Sequence, residues 1–318
     1  MADIRVGIVS WNTAELLDRC LAALPAALGD LDAEVVVVDN ASSDASAAVA
    51  RGHDNVTVVA NAANEGYARA MNQALAATDA PVLIALNPDT EPPPGSLAEL
   101  ARRLLGNPRA GLVVPRLVNV DGSPQPSAQR FPSLGLAVVS GFLPLPWQRG
   151  RLGRRWWLPP APQPERTVAV DWAIGAVHVI RAEATAGRDP YSERWFMYVE
   201  DLELCWRLHQ QEWAVVLEAA VAIPHVGNAS GAQAWGWTRA RRYWAATYDF
   251  DSQARSRAHA RAWAAVNLAA TAAHLAANQL RRARPSERRQ SHSDAAGELR
   301  ALLPVHLRAM LHGPPPPS

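Results

Sequence analysis

One short apolar run constrains the fold of this chain more than any other segment. Residues 82–86 read Val-Leu-Ile-Ala-Leu and lead directly into Asn87-Pro88-Asp89. A continuous apolar run of this length is typical of a strand buried on both faces, in the middle of a mostly parallel sheet. Pro88 has no N–H for a further ladder bond, so the strand is expected to end there. Asp89 is therefore expected at the carboxyl end of a central strand, where open α/β sheets bind ligands.

Three more apolar runs precede this strand, and each is followed by a segment with helical spacing. The runs cover residues 4–10, 34–38 and 56–60. A β-α-β-α-β-α-β order predicts a parallel sheet with right-handed crossover connections. In the first helical segment, Thr13 is expected to cap the helix, and Pro25 with Gly29 is expected to end it.

Polar residues follow the expected strands at one edge of the sheet. Asp39 ends the second run and Asp89 follows the fourth, so two carboxylates are expected at the same edge. The turn at 64–66 directs the start of a helix to this edge, and helix N-termini bind phosphate groups. Its glycine allows a ligand to approach the backbone closely. The chain has no G-x-G-x-x-G after the first strand and no Walker loop, which removes the main support for nicotinamide and P-loop binding.

The composition is that of a globular protein and gives no sign of a nucleic-acid partner. Apolar residues make up 49% of the 318 residues, which is ample for a core, and the formal net charge is +1. Cys20 and Cys205 form no metal or disulfide pattern and fit a reducing cytosol. The first residues lack the basic lead and long apolar core of a signal peptide, so none is expected.

Four motifs resemble, in order, those of family 2 glycosyltransferases, and most closely those of the rhamnosyltransferase-like branch. They are Val9–Asn12, Asp39–Asp44, Asn64–Asn72 and Asn87–Asp89. Each motif is weak alone, but four in the right order with ordinary spacing are a strong match, and the likeness spans residues 4–230. The resemblance implies a GT-A-like α/β fold, with a mostly parallel sheet flanked by helices and a helical C-terminal extension.

The resemblance assigns several residues to the nucleotide of a nucleoside-diphosphate sugar. These residues are Ser10, Asn12, Asp39, Asn64, Gly66, Arg69 and Asn87. Asp39 would hydrogen-bond the pyrimidine base, with Ser10 and Asn12 lining the nucleoside pocket, and Arg69 would face the diphosphate. The alternatives are a capping or turn residue for Asp39 and a solvated helix face for Arg69.

A metal site is also implied by the resemblance. Asn87-Pro88-Asp89 is similar to the family's D-x-D motif with its first acid replaced, which leaves Asp89 as the only charged ligand in the motif. Mg²⁺ or Mn²⁺ suits this arrangement, since such ions are held by one or two carboxylates plus substrate phosphates. In the family a histidine at the position of His225 ligates the metal or the diphosphate. The alternatives are a turn residue for Asp89 and a structural histidine for His225.

Two downstream motifs resemble the family's acceptor pocket and catalytic base. Trp172, Gly175 and Ala176 form a Trp-x-x-Gly-Ala sequence assigned to the acceptor; the alternative is a core tryptophan with a packing glycine. Glu200 and Asp201 match the family's catalytic Glu-Asp pair, in which the Asp is the general base, and they stand at the start of an expected helix. A helix N-terminus lowers a carboxylate pKa, whereas a base at neutral pH needs a higher one. Ordinary capping acids are the alternative.

Two segments combine arginine with tryptophan, a combination that suits anionic membrane interfaces. They are residues 143–166, where a mobile loop beside the active site is the alternative, and residues 239–244. Residues 262–280 have no formal charge but are too polar for a good membrane span, so a helix on the domain or the membrane surface is expected. Residues 284–295 and the closing prolines are expected to be linker or tail.

Together these features predict an inverting glycosyltransferase. Its expected parts are a nucleotide-sugar-binding half (1–115), an acceptor-binding half (116–232), and a helical extension with a Pro-rich tail (233–318). The expected donor is a dTDP- or UDP-sugar, with rhamnose as the sugar. The expected acceptor is a glycan or a lipid-diphosphate-linked saccharide, and the expected location is the cytoplasm, peripheral on the inner membrane face. A nucleotidyltransferase and a non-catalytic sugar-nucleotide or glycan-binding relative are the alternatives.

Overall fold

The computed structural model describes residues 3–143, 147, 166–227, 231–282 and 289–314. The chain divides into two compact units. Unit 1 comprises Met1–Arg130 and Pro162–Ser230, and unit 2 comprises Phe131–Ala161 and Gly231–Ser318. Every residue that the sequence assigns to the site belongs to unit 1. The division into nucleotide and acceptor halves stays a prediction.

The described residues of unit 1 form ten strands. They are β1 (Ile4–Ser10), β2 (Ala33–Asp39), β3 (Val56–Ala60), β4 (Val82–Leu86), β5 (Ala110–Val118), β6 (Ala128–Gln129), β7 (Val168–Val170), β8 (Trp172–Ala173), β9 (Val177–Arg181) and β10 (Ala214–Pro224). Eight of them form one sheet in the order β3-β2-β1-β4-β9-β5-β10-β7, and β6 pairs with β8. Strands β3, β2, β1 and β4 are all parallel. The α/β class with a mostly parallel sheet flanked by helices is therefore confirmed.

The register of the parallel strands brings their polar ends together. Ser10 pairs with Asp39 across β1 and β2, and Ile8 pairs with Leu86 across β1 and β4. The carboxyl ends of β2 and β4 therefore flank the end of β1. Asp89 follows β4 by three residues, so it lies at the same edge of the sheet as Asp39.

Nine helices are described. They are α1 (Ala14–Leu28), α2 (Ser46–Arg51), α3 (Tyr67–Leu75), α4 (Ser96–Gly106), α5 (Leu134–Phe142), α6 (Glu200–Gln210), α7 (Gly231–Ala254), α8 (Arg257–Arg282) and α9 (Arg289–His312). Helices α1 and α4 bury apolar faces against the sheet, where Leu17 and Leu100 join the core around Ile8 and Leu86. This burial, more than helix propensity, stabilises such short helices.

The expected end of α1 at Gly29 is confirmed, since Gly29 is the C-cap that follows Leu28. Two other expectations for α1 are wrong. The helix continues through Pro25, because Leu24 and Leu28 are buried in the core and compensate for the lost backbone bond. Thr13 makes no side-chain cap; its Oγ1 lies 2.8 Å from Ser10 Oγ instead. The N-terminus of α1 is capped from a distant loop, because Asp44 Oδ2 accepts from the N–H of Ala14 at 3.0 Å.

Strand β9 was not predicted from the sequence. It inserts between β4 and β5 and runs antiparallel to both. Arg181 anchors its end, donating from Nε to Ala110 O at 2.9 Å and from Nη2 to Leu104 O at 2.6 Å. The sequence before it forms two further short strands, β7 and β8, so β7, β8 and β9 are separate elements.

Unit 2 contains α5, α7, α8 and α9 around an aromatic core. Trp244 makes ring contacts with Tyr248, Trp263 and His306, so this tryptophan is part of the core and not an exposed interface residue. Residues 262–280 lie within α8. None of the helices in the described ranges is long and apolar enough to cross a membrane.

Residues 284–295 were expected to form a linker, and this expectation is wrong from Arg289 onwards. That part begins α9, because Arg, Gln, Ala and Glu are good helix formers and because Leu302 and Ala309 are buried farther along the helix. The expected Arg- and Trp-rich loop at 143–166 lies, apart from its ends and Trp147, outside the described residues.

Candidate active site

The carboxyl ends of β1 and β2 form a polar corner. Ser10 is fully buried, and Asp39 is 5% exposed. Asp39 Oδ2 accepts from the N–H of Ser42 at 3.2 Å. Its other oxygen, Oδ1, is buried and has no hydrogen-bond partner within the part of the chain that the structure describes. Leaving a buried carboxylate oxygen without a hydrogen-bond donor costs free energy. One donor is missing from this corner.

Asn12 holds the two loops of this corner together. Its backbone lies in the left-handed region, with φ of 55°. Its Oδ1 accepts from the N–H of Ser43 at 2.7 Å and from Ser43 Oγ at 3.1 Å. Its own N–H donates to Ser42 Oγ at 3.0 Å. Asn12 thereby fixes the loop that follows β2 next to Asp39.

Asn40, which the sequence interpretation did not single out, connects β2 to the 64–66 turn. Its Nδ2 donates to Asn64 Oδ1 at 3.0 Å and to Gly66 O at 3.2 Å. Its Oδ1 accepts from Asn61 Nδ2 at 3.1 Å and from the N–H of Glu65 at 3.0 Å. Asn64 is therefore held in the turn by the protein itself. An Asn directly after a buried strand was the available signal.

Gly66 allows a close approach of the protein's own backbone. Its φ is 84°, and a Cβ at this position would lie 2.6 Å from the carbonyl oxygen of Phe196. The next residue, Tyr67, donates its N–H to that same oxygen at 3.1 Å. Arg69 lies on the exposed side of α3 and pairs with Glu65 at 3.0 Å. The turn thus docks on the loop before α6.

The structure brings Asp89 and His225 together. His225 Nε2 lies 3.3 Å from Asp89 Oδ1, and the N–H of Val226 donates to Asp89 O at 2.9 Å. Gln125 sets the orientation of the imidazole. Its Nε2 donates to Asn119 Oδ1 and to His225 O, so its Oε1 faces His225 Nδ1 at 3.0 Å and accepts a hydrogen bond from the Nδ1–H. His225 Nε2 then faces the carboxylate.

This pair fits a divalent cation. A neutral imidazole lone pair and a carboxylate oxygen repel each other at this distance unless a proton or a cation lies between them. Carboxylate and imidazole are ligands that Mg²⁺ and Mn²⁺ sites accept, with phosphate oxygens completing the shell. No group of three or more His, Cys, Asp or Glu side chains suits a metal in the ranges that the structure describes. Asn87 contributes its backbone here, donating its N–H to Ala176 O at 2.9 Å.

Glu200 and Asp201 begin α6 and face the start of β9. Asp201 Oδ2 accepts from the N–H of Gly175 at 3.1 Å, and Oδ1 accepts from the N–H of Leu202 at 2.7 Å. Glu200 is 8% exposed, and its Oε2 accepts from the N–H of Val199 at 2.9 Å. Each carboxylate is thus oriented by backbone donors rather than by an arginine.

Burial decides the protonation of this pair. It raises the pKa of Asp201 to about 6, although the N–H groups of Leu202 and Gly175 lower it. Burial and then the charge of Asp201 raise the pKa of Glu200 to about 7. Desolvation therefore raises these pKa values more than the helix N-terminus lowers them. Both carboxyl groups are therefore weaker acids than they are in water, which suits a base that works near neutral pH.

The position of Asp201 depends on its contact with Gly175. A Cβ at this position would lie 3.3 Å from Asp201 Cβ and 3.8 Å from His178 Cε1. Gly175→Ala is expected to displace the carboxylate by a few tenths of an ångström and to lower kcat about tenfold, since misplaced catalytic groups lose rate steeply. Steady-state kinetics check this, with Gly106→Ala as a control because no atom would contact its Cβ. Equal kcat values for both variants would contradict it.

The other two residues that the resemblance assigns to the acceptor have structural partners. Trp172 is 5% exposed, and its indole N–H donates to Arg130 O at 3.0 Å. Ala176 is fully buried, and its carbonyl accepts from Asn87. These contacts fit a core tryptophan, whereas Gly175 is the part of this sequence that touches Asp201.

Tyr67 lies near both the acidic pair and Asp89, and the sequence interpretation gave it no role. Its hydroxyl lies 3.4 Å from Gly175 O, on the residue whose N–H binds Asp201. Burial raises the pKa of Tyr67 well above its usual range, and the charges of Glu200, Asp201 and Asp89 raise it further. The phenol therefore lies within electrostatic reach of both the acidic pair and the candidate metal ligand.

A second buried ring pair supports this region. His178 is fully buried, with Nδ1 3.0 Å from the Tyr191 hydroxyl and Nε2 3.3 Å from Ala173 O. Burial lowers the pKa of His178 to about 4, so the imidazole is neutral. Asn72 binds both the N–H and the carbonyl of Tyr191, at 3.1 and 2.8 Å. The network holds the loop before α6 against α3.

Comparison with known proteins identifies the family. The model described as "Glycosyl transferase family 2" matches residues 5–164. The chain is 34% identical over 242 residues to an N-acetylglucosaminyl-diphospho-decaprenol L-rhamnosyltransferase of Mycobacterium tuberculosis, covering 70% of this chain and 76% of the relative. It is 25% identical over 219 residues to the low-salt glycan biosynthesis hexosyltransferase Agl10 of Haloferax volcanii, covering 66% and 62% of the two chains.

Solved structures show the same fold. The mannosyltransferase PcManGT from Pyrobaculum calidifontis, in complex with GDP-Man and Mn²⁺, superposes with a TM-score of 0.57 at 15% identity, covering 98% of this chain and 87% of that one. Residues 1–349 of TarS from S. aureus, in complex with UDP-GlcNAc, give a TM-score of 0.51 at 13% identity, covering 96% and 91%. The chain belongs to glycosyl transferase family 2 and is a glycosyltransferase with a GT-A-like fold.

Proposed function

We propose that the enzyme transfers L-rhamnose from dTDP-rhamnose to a hydroxyl of a lipid-diphosphate-linked saccharide, with inversion at the anomeric carbon, in the synthesis of a cell-surface polysaccharide. The observation that carries this proposal is the buried carboxylate of Asp201, held by the N–H of Gly175 and ionised near neutral pH. The relative that is 34% identical is named as a rhamnosyltransferase acting on a lipid-diphosphate acceptor, which supports this choice of sugar and acceptor.

The chemistry follows from the acidic pair. Asp201 accepts the proton of the acceptor hydroxyl while that oxygen forms its bond to the anomeric carbon. The bond from the anomeric carbon to the diphosphate oxygen breaks, and its electron pair leaves with the nucleoside diphosphate. Glu200 lies beside Asp201 in the sequence, and burial together with the charge of Asp201 raises the pKa of Glu200 to about 7. Gly175 orients the carboxylate, and Trp172 and Ala176 would shape the acceptor side around it.

Asp89 and His225 would hold the divalent cation, with Gln125 fixing the imidazole. When bound, Mg²⁺ or Mn²⁺ neutralises charge that develops on the departing diphosphate. The turn at Asn64–Gly66 and Arg69 would lie toward the diphosphate. Because Arg69 pairs with Glu65 on the surface, binding of a phosphate there would compete with that ion pair.

Asp39 favours a pyrimidine nucleotide over guanine. One of its oxygens is already bound to Ser42, and only Oδ1 lacks a donor. Uracil and thymine offer a single imide N–H, which matches one free acceptor. Guanine presents two adjacent N–H donors and would leave one of them without a partner on this carboxylate.

Asp39→Asn is accordingly expected to weaken binding of dTDP- and UDP-sugars about tenfold to hundredfold, the usual worth of a hydrogen bond to a charged group. Thermal-shift titrations of dTDP-, UDP- and GDP-sugars, with and without Mg²⁺ or Mn²⁺, measure this. Asp54→Asn, at an exposed position, is the control and should bind as the wild type does. A clear preference of the wild type for a guanine nucleotide would overturn the proposed donor.

The rate is expected to depend on the ionisation of Asp201. Only the deprotonated carboxylate accepts a proton, and burial raises its pKa to about 6. The value of kcat/KM should therefore reach a plateau above neutral pH and fall about tenfold for each pH unit below 6. A pH profile measured at saturating metal checks this. A plateau that extended unchanged to pH 4.5 would show that another group is the base.

A further inference from the structure

One side of helix α5 in unit 2 is packed tightly. Ala137 is 4% exposed, and a Cβ built on Gly141 would lie 2.7 Å from the Cβ of Ala270 on α8. His274 Nε2, also on α8, lies 2.8 Å from Gly141 O. The glycine therefore lets two helices touch, and it defines the inner side of α5.

The outer side of α5 is apolar and exposed. Val138 and Phe142 are each 49% exposed and stand four residues apart, so they share one side of the helix. Trp147, the next residue described after 143, is 64% exposed. Nine large apolar side chains are exposed in the described parts of the chain, and these three fall within ten residues. Scattered exposed apolar residues are ordinary, but a group of them marks an interaction surface.

Charge is distributed very unequally between the two units. Unit 2 has 17 arginines and 5 acidic residues, a net of +12, whereas unit 1 has 14 arginines and 25 acidic residues, a net of −11. No acidic residue occurs between Asp121 and Glu165, the stretch that contains α5. Helix α5 itself has no charged residue. Unit 2 as a whole, and the sequence on either side of α5, therefore carry a charge that attracts anions.

We propose that Val138 and Phe142, together called the α5 face, dock unit 2 on an anionic lipid bilayer, with the exposed Trp147 farther along the chain as a further apolar contact. The apolar side chains enter the boundary between headgroups and acyl chains, while the arginines of unit 2 attract the headgroup phosphates. A polynucleotide would use the arginines but offers no apolar phase for Val138 and Phe142. This inference rests on the proposed function in one respect, since a lipid-linked acceptor gives the docking its purpose.

Flotation of the full-length protein with vesicles tests the proposal without any sugar nucleotide or acceptor. Vesicles of phosphatidylcholine mixed with phosphatidylglycerol are compared with vesicles of phosphatidylcholine alone, at low and high salt. The wild type should float with the anionic vesicles at low salt and less at high salt. Val138→Ser with Phe142→Ser should reduce the bound fraction about tenfold, as expected when two apolar side chains lose their apolar contact.

A matched pair in unit 1 serves as the control. Leu105→Ser with Val120→Ser removes two apolar side chains that are 51% and 75% exposed, and it should leave flotation unchanged. Phe142→Leu keeps the apolar character and should retain binding, which separates loss of the surface from loss of the fold. Melting temperatures are measured for every variant.

Two results would overturn the α5 face as a lipid-docking surface. One is a wild type that stays with the soluble fraction at low salt, and the other is equal flotation of the α5 and control variants. If the α5 variant changes the oligomeric state and not flotation, the face joins copies of this chain. Transfer assays on a water-soluble acceptor report separately on the proposed reaction, so either proposal can fail alone.

Discussion

Asp201→Asn is expected to lower kcat about 10²–10⁴-fold, the usual cost of removing a general base. An amide cannot accept the proton of the acceptor hydroxyl. The proposed donor contacts are Asp39 and Asp89, which the substitution leaves unchanged, so donor affinity should change little. Single-turnover transfer rates and donor thermal shifts measure the two quantities separately. Transfer at the wild-type rate would show that the base is another residue.

Two controls separate loss of the base from loss of the fold. Asp189→Asn makes the same chemical change at an exposed position and should leave kcat unchanged. The amide at 201 can satisfy only one of the two N–H donors, from Gly175 and Leu202, so it loses about 1 kcal/mol of stability from that source.

The stability of the Asp201→Asn variant should also depend on pH in a defined direction. Burial raises the pKa of native Asp201 from 3.8 to about 6. Its protonated form therefore stabilises the fold below pH 4, and this contribution is lost as the pH rises through 6. The melting temperature of the variant relative to the wild type should be higher at pH 8 than at pH 4. The opposite trend would mean that Asp201 is not desolvated.

Asp89→Ala is expected to remove the metal dependence of donor binding and to weaken binding on the order of 10²-fold when metal is present, at least as much as loss of an outer-shell partner costs. The imidazole of His225 would be left as the one protein ligand of the pair. Calorimetric titration of the nucleoside diphosphate with and without Mn²⁺ measures the effect.

Asp89→Asn provides the matched comparison, because it keeps the shape of the turn and removes only the charge. Both variants should show the same affinity with and without metal. If the Asn variant retained the full metal-dependent affinity, Asp89 would be a turn residue, as the alternative interpretation of the sequence has it. Gln125→Ala should have a smaller effect of the same sign, because it frees the orientation of His225.

The parallel part of the sheet was predictable because its strands carry continuous apolar runs that end in polar residues. Strand β9 escaped prediction, because Val177–Arg181 follows the Gly175 turn closely and its antiparallel insertion depends on partners far away in the chain. The cap of α1 was missed for a similar reason. Asp44 caps the helix in place of Thr13, and it stands 30 residues from Ala14, whose N–H it binds. No local sequence pattern reveals such a contact.

The sequence motifs identified candidate residues of the site, but they could not predict the contacts between motifs. That Gly175 donates to Asp201 and that Gln125 orients His225 depends on how separate segments meet in the fold. Tyr67 was visible inside a motif, yet its nearness to three carboxylates is a tertiary property. The raised pKa of Asp201 likewise follows from burial. The position of Asp201 at a helix N-terminus would by itself predict a lowered pKa.

We propose a single displacement in which Asp201 deprotonates the acceptor. The anomeric configuration of the product tests it most directly. It can be read by NMR after transfer from dTDP-β-L-rhamnose to an N-acetylglucosaminyl-diphospholipid. An α-linked product, inverted relative to the donor, is expected with the wild type and almost none with Asp201→Asn. A β-linked product would contradict it, because retention requires a second displacement or attack from the face of the leaving diphosphate.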